Sequence, residues 1–258
     1  MFPLLETTSQ TLHREFPEAL LMTTSYDHSY GMDTVAKTMQ AWCPLTPSFK
    51  PEQAAKARAA GRQVWWYICC GPHHPHANMF IEYPAIEARL LMGAMTVRQR
   101  PDGFLYYEVS IWNSRRPITS GPFTDWDPRS WTTYHGDGSW TCVGPDGTPL
   151  PTIRLENFRD GLEDYAYAMI LEAIVRQREA QSAPLSPQQK EWLAEAKTAL
   201  QVPQDLMRDM TDYSREPAKV YSWRNHLGDL IEGSGVVDAN PWGGNFGPHG
   251  MPPTRQAF

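Results

Sequence analysis

Six aromatic side chains and one carboxylate stand out for where they fall. Tyr26, Trp42, Trp66, Tyr67, Tyr106 and Trp112 lie at or near the C-terminal ends of apolar stretches that read as strands, and Glu108 sits inside one such stretch. Rings at strand ends suit a sugar site, because a flat indole or phenol stacks on the apolar face of a pyranose. The same rings also fill cores, with their polar tips against buried partners. Both readings stay open, although 10 Trp and 11 Tyr in 258 residues exceed what a core needs. Strand alternation puts Trp65 and Trp66 on opposite faces, so only one of them can point at a shared site. Burying Glu108 in an apolar strand costs several kcal/mol unless it is paired. It is therefore either a pocket group that binds sugar hydroxyls, or a member of an ion pair or an exposed edge.

Two further clusters carry chemistry-bearing side chains. His73, His74 and His76 lie beside Cys69 and Cys70, which are donor types that zinc uses. Pro72 and Pro75 stiffen that stretch, and a loop at a pocket rim is the plainer reading. Arg154, Glu156, Arg159, Asp160, Glu163 and Asp164 recur at spacings of three and four, the pattern of pairs along a helix surface. They read as a structural network that docks one helix under the sheet. The four cysteines, Cys43, Cys69, Cys70 and Cys142, are expected as free thiols. Adjacent cysteines rarely bond each other, and the chain is no disulfide scaffold.

The elements that must position these groups follow from periodicity and punctuation. Residues 4–16 read as an amphipathic helix stopped by Pro17. Residues 19–24 are a short strand, and 34–40 a helical turn. Residues 41–45 are a strand, and 51–60 a helix with Pro at its start and Gly61 just past its end. The apolar strand at 63–70 leads through HHPHAN to a helix over 84–98. A fourth strand covers 103–112. Apolar strands alternating with helices predict a parallel sheet buried on both faces. A complete (β/α)8 barrel needs eight strands and roughly 250 residues, so four strands within residues 19–112 amount to about half a barrel. Residues 113–152 are rich in turn signals and predict a hairpin near 139–143 and 151–153. Helices follow at 154–180, 186–200 and 215–232. The expected division is a half-barrel over 1–112, a hairpin and helices completing the domain over 113–232, and an extended or disordered Gly- and Pro-rich tail over 233–258.

Composition excludes several partners. The net charge is -6 and no basic face is visible, so no nucleic acid is expected. There is no run of 18 apolar residues, so no membrane span is expected. The N-terminal stretch MFPLLETTSQTLHREF lacks a basic region followed by an apolar one, and no signal peptide is read.

Three stretches carry a resemblance: GRQVWWYICCGPHHPHAN (61–78), YPAIEARLL with DGFLYYEVSIW (83–91 and 102–112), and IRLENFRDGLEDYAY (153–167). In that order and spacing they resemble the catalytic domain of glycoside hydrolase family 123, also called domain of unknown function 4091, over roughly residues 5–232. The resemblance implies an eight-stranded TIM-type barrel that cleaves β-linked N-acetylgalactosamine by a substrate-assisted retaining mechanism. In it the sugar's own acetamido oxygen attacks the anomeric carbon, an Asp orients that group, and an adjacent Glu is the general acid and base. It implies no metal and no cofactor, and a glycan containing N-acetylhexosamine as partner.

The family's Asp-Glu pair follows its fourth strand, just ahead of a helix like the one over 4–16. No Asp-Glu dipeptide occurs in this chain, and the resemblance places the pair upstream of Met1. The expectation is therefore a C-terminal half that starts after the pair and is inactive alone, with a non-catalytic sugar-binding half-barrel as the alternative. Open barrel edges predict self-association.

Overall fold

The computed structural model describes residues 1–111, 134–144 and 146–236. Trp112, the turn-rich stretch at 113–133 and the tail beyond 236 lie outside them. Helix α1 (Phe2–Glu15) begins with a proline in its first turn, where the missing N–H costs nothing. Its Phe2 ring lies 6.0 Å from that of Trp42, while Leu4, Leu12 and Phe16 are exposed.

Five short parallel strand segments follow in sequential order. Strand β1 (Met22–Thr23) pairs with β2 (Ala41–Trp42), and β2 with β3 (Gln63–Val64), in the register Met22–Ala41–Gln63. Strand β4 (Trp66–Tyr67) continues β3 past Trp65 and pairs with β5 (Phe104–Leu105). A parallel bridge from Leu45 to Tyr67 joins the two stretches. Helix α2 (Pro51–Ala59) makes the crossover between β2 and β3, burying Ala54 and Ala57.

Three expectations are corrected. The strands are much shorter than their apolar runs. The last one ends at Leu105, and beyond it the Glu108 carboxylate accepts hydrogen bonds from the backbone N–H of Val109 and Ser110 at 2.8 and 3.0 Å, a local turn outside the ladder. No helical turn forms over 34–40, where bends tie Thr34 back to Gly31 instead. The central strand β2 is buried on both faces, Ala41 and Trp42 alike, but the β3–β4 stretch is not. Val64, Trp66 and Ile68 are fully buried, whereas Gln63, Trp65, Tyr67 and Cys69 between them are half-buried. One face therefore packs into the core, with Phe49 edge-on to Trp66 at 5.5 Å, and the other keeps contact with solvent.

The predicted helix over 84–98 forms as α3 (Ile86–Leu90), a π-helical stretch (Leu91–Met95) and α4 (Thr96–Gln99). The Thr96 hydroxyl donates to the Leu91 carbonyl at 2.7 Å. This rod lies against α5 (Ile153–Glu179), and two glycines let it approach. A Cβ on Gly161 would sit 2.6 Å from the Arg89 carbonyl, and one on Gly93 would sit 3.2 Å from the Asp164 Cβ. The Arg89 guanidinium then grips Asp164 with Nε–Oδ2 at 2.6 Å and Nη2–Oδ1 at 2.8 Å. The hairpin forms as β6 (Thr141–Val143) and β7 (Pro149–Pro151), antiparallel. Helices α6 (Pro187–Ala199) and α7 (Pro217–Gly233) pack on α5. Among the described residues no helix is long and apolar enough to cross a membrane.

Candidate functional site at the strand ends

The half-buried face of β4 leads the chain into the site. Tyr67 stands at its end, and its hydroxyl pKa is raised, first by burial and then by the nearby Cys69, Cys43 and Cys70. Cys69 comes next on the same face. Burial pushes its thiol up, and the charges of Cys70 and Asp137 push it further. On the neighbouring strand, Tyr106 follows β5. Its hydroxyl donates to Asp137 Oδ1 at 3.0 Å and accepts from the Gly138 N–H at 2.8 Å. Burial, then the Asp137 carboxylate, raise its pKa well above that of an ordinary tyrosine. Asp137 has no solvent exposure. Tyr67, Cys69, Tyr106 and Asp137 thus gather at the C-terminal ends of adjacent parallel strands, the end that carries the site in barrel enzymes.

Two buried side chains hold the loops that form this cluster. Asn78 donates from Nδ2 to the carbonyls of Cys69 and Pro72 at 3.1 and 2.8 Å, and its own N–H is received by Glu87. Asn78 therefore shapes the loop after β4 instead of reaching into the site. Arg154, at the start of α5, donates to the carbonyls of Met79 and Gly136 at 2.8 Å each and to Ser139. Three carbonyls from three segments take three of the five guanidinium N–H donors. They fix the turn at 136–139, and with it the Asp137 carboxylate. Gly136 is required there: at φ 74° a Cβ would lie 2.6 Å from Arg154 Nη1.

The residues singled out from sequence do not all meet at this face. Tyr67 does, at the end of β4. Tyr106 lies there too, but its hydroxyl is engaged and one ring face is covered by Trp140, stacked at 4.3 Å. Trp42 and Trp66 are wholly buried and fill the core. Tyr26 is 55% exposed after β1. Glu108 is half-buried outside any strand, and hydrogen bonds from Val109 and Ser110 hold its carboxyl below the usual range. It needs no counter-ion, which corrects the expectation of a carboxylate in mid-strand. Trp112 lies outside the described residues. Met1 is exposed at the start of α1, and its carbonyl accepts the Leu5 N–H at 3.1 Å. The His-rich loop is tied down: His74 stacks on Tyr83 at 3.7 Å and donates its N–H to the Tyr83 hydroxyl. Among the described residues no group of three or more His, Cys, Asp and Glu side chains could hold a metal ion.

Asp137, Trp140 and the three-way grip of Arg154 were not foreseen as parts of one site. The only sequence signal is that Asp137 stands between Gly136 and Gly138, which reads as a turn and conceals a buried carboxylate. A second pair, Glu82 with His135, lies nearby at the surface. The Glu82 carboxylate accepts the His135 N–H at 3.0 Å and pairs with its ring.

A parallel α/β unit with an aromatic and carboxylate cluster at its strand ends is the kind of site sugar-processing barrels carry. Residues 4–171 match the model of the glycoside hydrolase 123 catalytic domain. That match spans well over half of the 258 residues, and the chain belongs to that family. No curated protein matches the chain.

Proposed function

We propose that this domain binds an N-acetylhexosamine-containing glycan, of the kind a β-N-acetylgalactosaminidase cleaves, at the strand-end face around Tyr67. Tyr26 and Glu108 contribute at its exposed margins. In this reading residues 1–112 form half of a TIM-type barrel and 113–232 complete the domain. What carries the proposal is family membership together with the solvated sheet face ending in Tyr67, beside the buried Tyr106–Asp137 pair. The buried carboxylate held between Tyr106 and the Arg154-fixed turn makes the backing of this face rigid, and Tyr67 offers a ring as wall.

Hydrolysis by these residues alone is not part of the proposal. The substrate-assisted mechanism needs an Asp to orient the acetamido group and an adjacent Glu as acid and base, and no Asp-Glu dipeptide is present. Losing acid–base assistance alone costs roughly 10²–10⁴-fold, before the lost orientation of the acetamido group. The test is an aryl β-N-acetylgalactosaminide assay beside calorimetric titration with N-acetylgalactosamine. The expected result is binding without release of the aryl group, with binding weakened in Tyr67→Ala. Turnover by the purified chain would overturn the inactive reading and direct attention to Glu82 as acid. Absence of any binding would overturn the glycan face.

A further inference from the structure

The pair Cys69–Cys70 is not used by the proposed glycan face, and its geometry is unusual. The two Sγ atoms lie 3.8 Å apart. Cys70 is exposed and Cys69 half-buried, while Cys43 is buried. The segment is folded tightly, with the Cys69 N–H donating to the Gly71 carbonyl at 2.7 Å. The peptide group that links the two cysteines is also clamped, because its carbonyl, that of Cys69, accepts from Asn78 Nδ2 at 3.1 Å. Both sulfurs are thereby held close together at the site mouth, one of them open to solvent. We propose that Cys69 and Cys70 form a reversible dithiol–disulfide site, closed by small disulfide oxidants and reopened by thiols.

The chemistry runs in two exchanges. The Cys70 thiolate attacks one sulfur of the oxidant, forming a mixed disulfide and expelling one small thiolate. The Cys69 thiolate then attacks the Cys70 sulfur, forming the intramolecular bond and expelling the second. Two protons and two electrons leave the protein, and the oxidant is reduced to two thiols. Exposure selects Cys70 as the entry point, since attack requires access. Raised by burial, the Cys69 thiol makes the second exchange the slower one.

The product is a labile bond. Neighbouring Cα atoms across a trans peptide are roughly 3.8 Å apart, shorter than the usual disulfide span of about 4.4–6.8 Å, and the sulfurs must close to about 2.05 Å. The resulting strain favours reduction, which is the behaviour of regulatory disulfides and not of structural ones. Closure also draws Cys69 out of its place between Tyr67 and Asp137, so the oxidised form presents an altered wall there. This inference does not depend on the glycan reading, since it is read by mass alone.

The experiment treats the whole chain with glutathione disulfide, blocks remaining thiols, and maps tryptic peptides. The peptide between Arg62 and Arg89 contains these two cysteines and no other, so a bond within it is unambiguous. The expected result is loss of two hydrogens from that peptide with no retained glutathione, reversed by dithiothreitol. In Cys69→Ser, glutathione should instead stay on Cys70. If the unmodified chain keeps glutathione on Cys70, or if the lost hydrogens map to a bond with Cys43 or Cys142, the proposal is wrong. The wild-type map decides the matter by itself should Cys69→Ser not fold.

Discussion

Replacing Asp164 by alanine removes one half of the most deeply buried ion pair among the described residues. Arg89 and Asp164 have side chains 6% and 1% exposed, and they join α3 to α5 by two short, parallel bonds. Burial alone would depress the Arg89 pKa, but the hydrogen bonds and charge of Asp164 outweigh it and push it up. For Asp164 burial is the larger influence and raises the carboxyl. The Arg89 guanidinium is protonated throughout the working pH range, so removing Asp164 strands a buried positive charge. Without Asp164, the guanidinium keeps only Asp160, 3.5 Å away and itself a third exposed, and the Tyr221 ring at 4.6 Å. Leaving a buried charge unpaired costs ~3–5 kcal/mol. At roughly 2–4 °C per kcal/mol for chains of this size, the midpoint should drop by roughly 6–20 °C. A thermal melt reads that drop, and urea unfolding followed by tryptophan fluorescence measures the free-energy loss itself, with an unchanged slope showing that stability and not compactness has changed. The double variant Arg89→Met with Asp164→Ala should be less destabilised than Asp164→Ala alone, because no charge is then stranded. A loss below about 1 kcal/mol in the single variant, or strict additivity in the pair, would refute the argument that burial makes this contact costly to break.

Gly31→Ala should be destabilising by at least roughly 1–3 kcal/mol, because the residue sits at φ 79° and a Cβ would lie 2.4 Å from the fully buried Trp42 ring; a thermal melt within a degree of wild type would contradict this packing. Burial works to raise the Asp27 carboxyl, but hydrogen bonds from Ser29 and from the Gly31 N–H outweigh it and depress its pKa. Its stabilisation is therefore present above the unfolded value of about 3.9 and is lost as pH falls through the lower folded value. Asp27→Asn should flatten the acid limb of stability against pH, and an unaltered limb would count against it. The outer strands β1 and β5 of the parallel segments should pair edge to edge with a second copy; sedimentation at micromolar concentration should show a dimer or larger species, and a sharp monomer boundary with cooperative unfolding would remove that expectation.

The helices were legible in the sequence because local chemistry delimits them. Pro51 and Gly61 bracket α2, Pro17 follows α1, and Ser186 with Gln189 caps α6 reciprocally at 3.2 and 2.8 Å. The order of apolar strands and helices was enough to anticipate a parallel arrangement, since short-range alternation of this kind leaves few topologies. The stretches at 61–78, 83–112 and 153–167, in that order and spacing, were together enough to place the family. The charges of the last stretch also divide as a helix surface requires. Arg159 pairs outward with Glu156 and Glu163, while Arg154 and Asp164 point inward to partners 75 residues away in the chain.

Those distant partners mark what sequence could not reach. QVWWYICC reads as a strand apolar throughout, and its one-face burial depends on what packs against each side. Trp42 and Trp66 look like site rings until Phe2, Gly31 and Phe49 are found against them. Glu108 looks like a buried carboxylate until its own downstream N–H groups are found against it. Asp137 looks like a turn residue until Tyr106 and Arg154 converge around it. Secondary-structure propensity and end signals act over a few residues, so the chain's own order carries them. Which face of a strand is covered, and which carbonyls an arginine satisfies, depend on contacts closed only when segments such as 79, 136–139 and 154 meet, and these are properties of the folded packing alone.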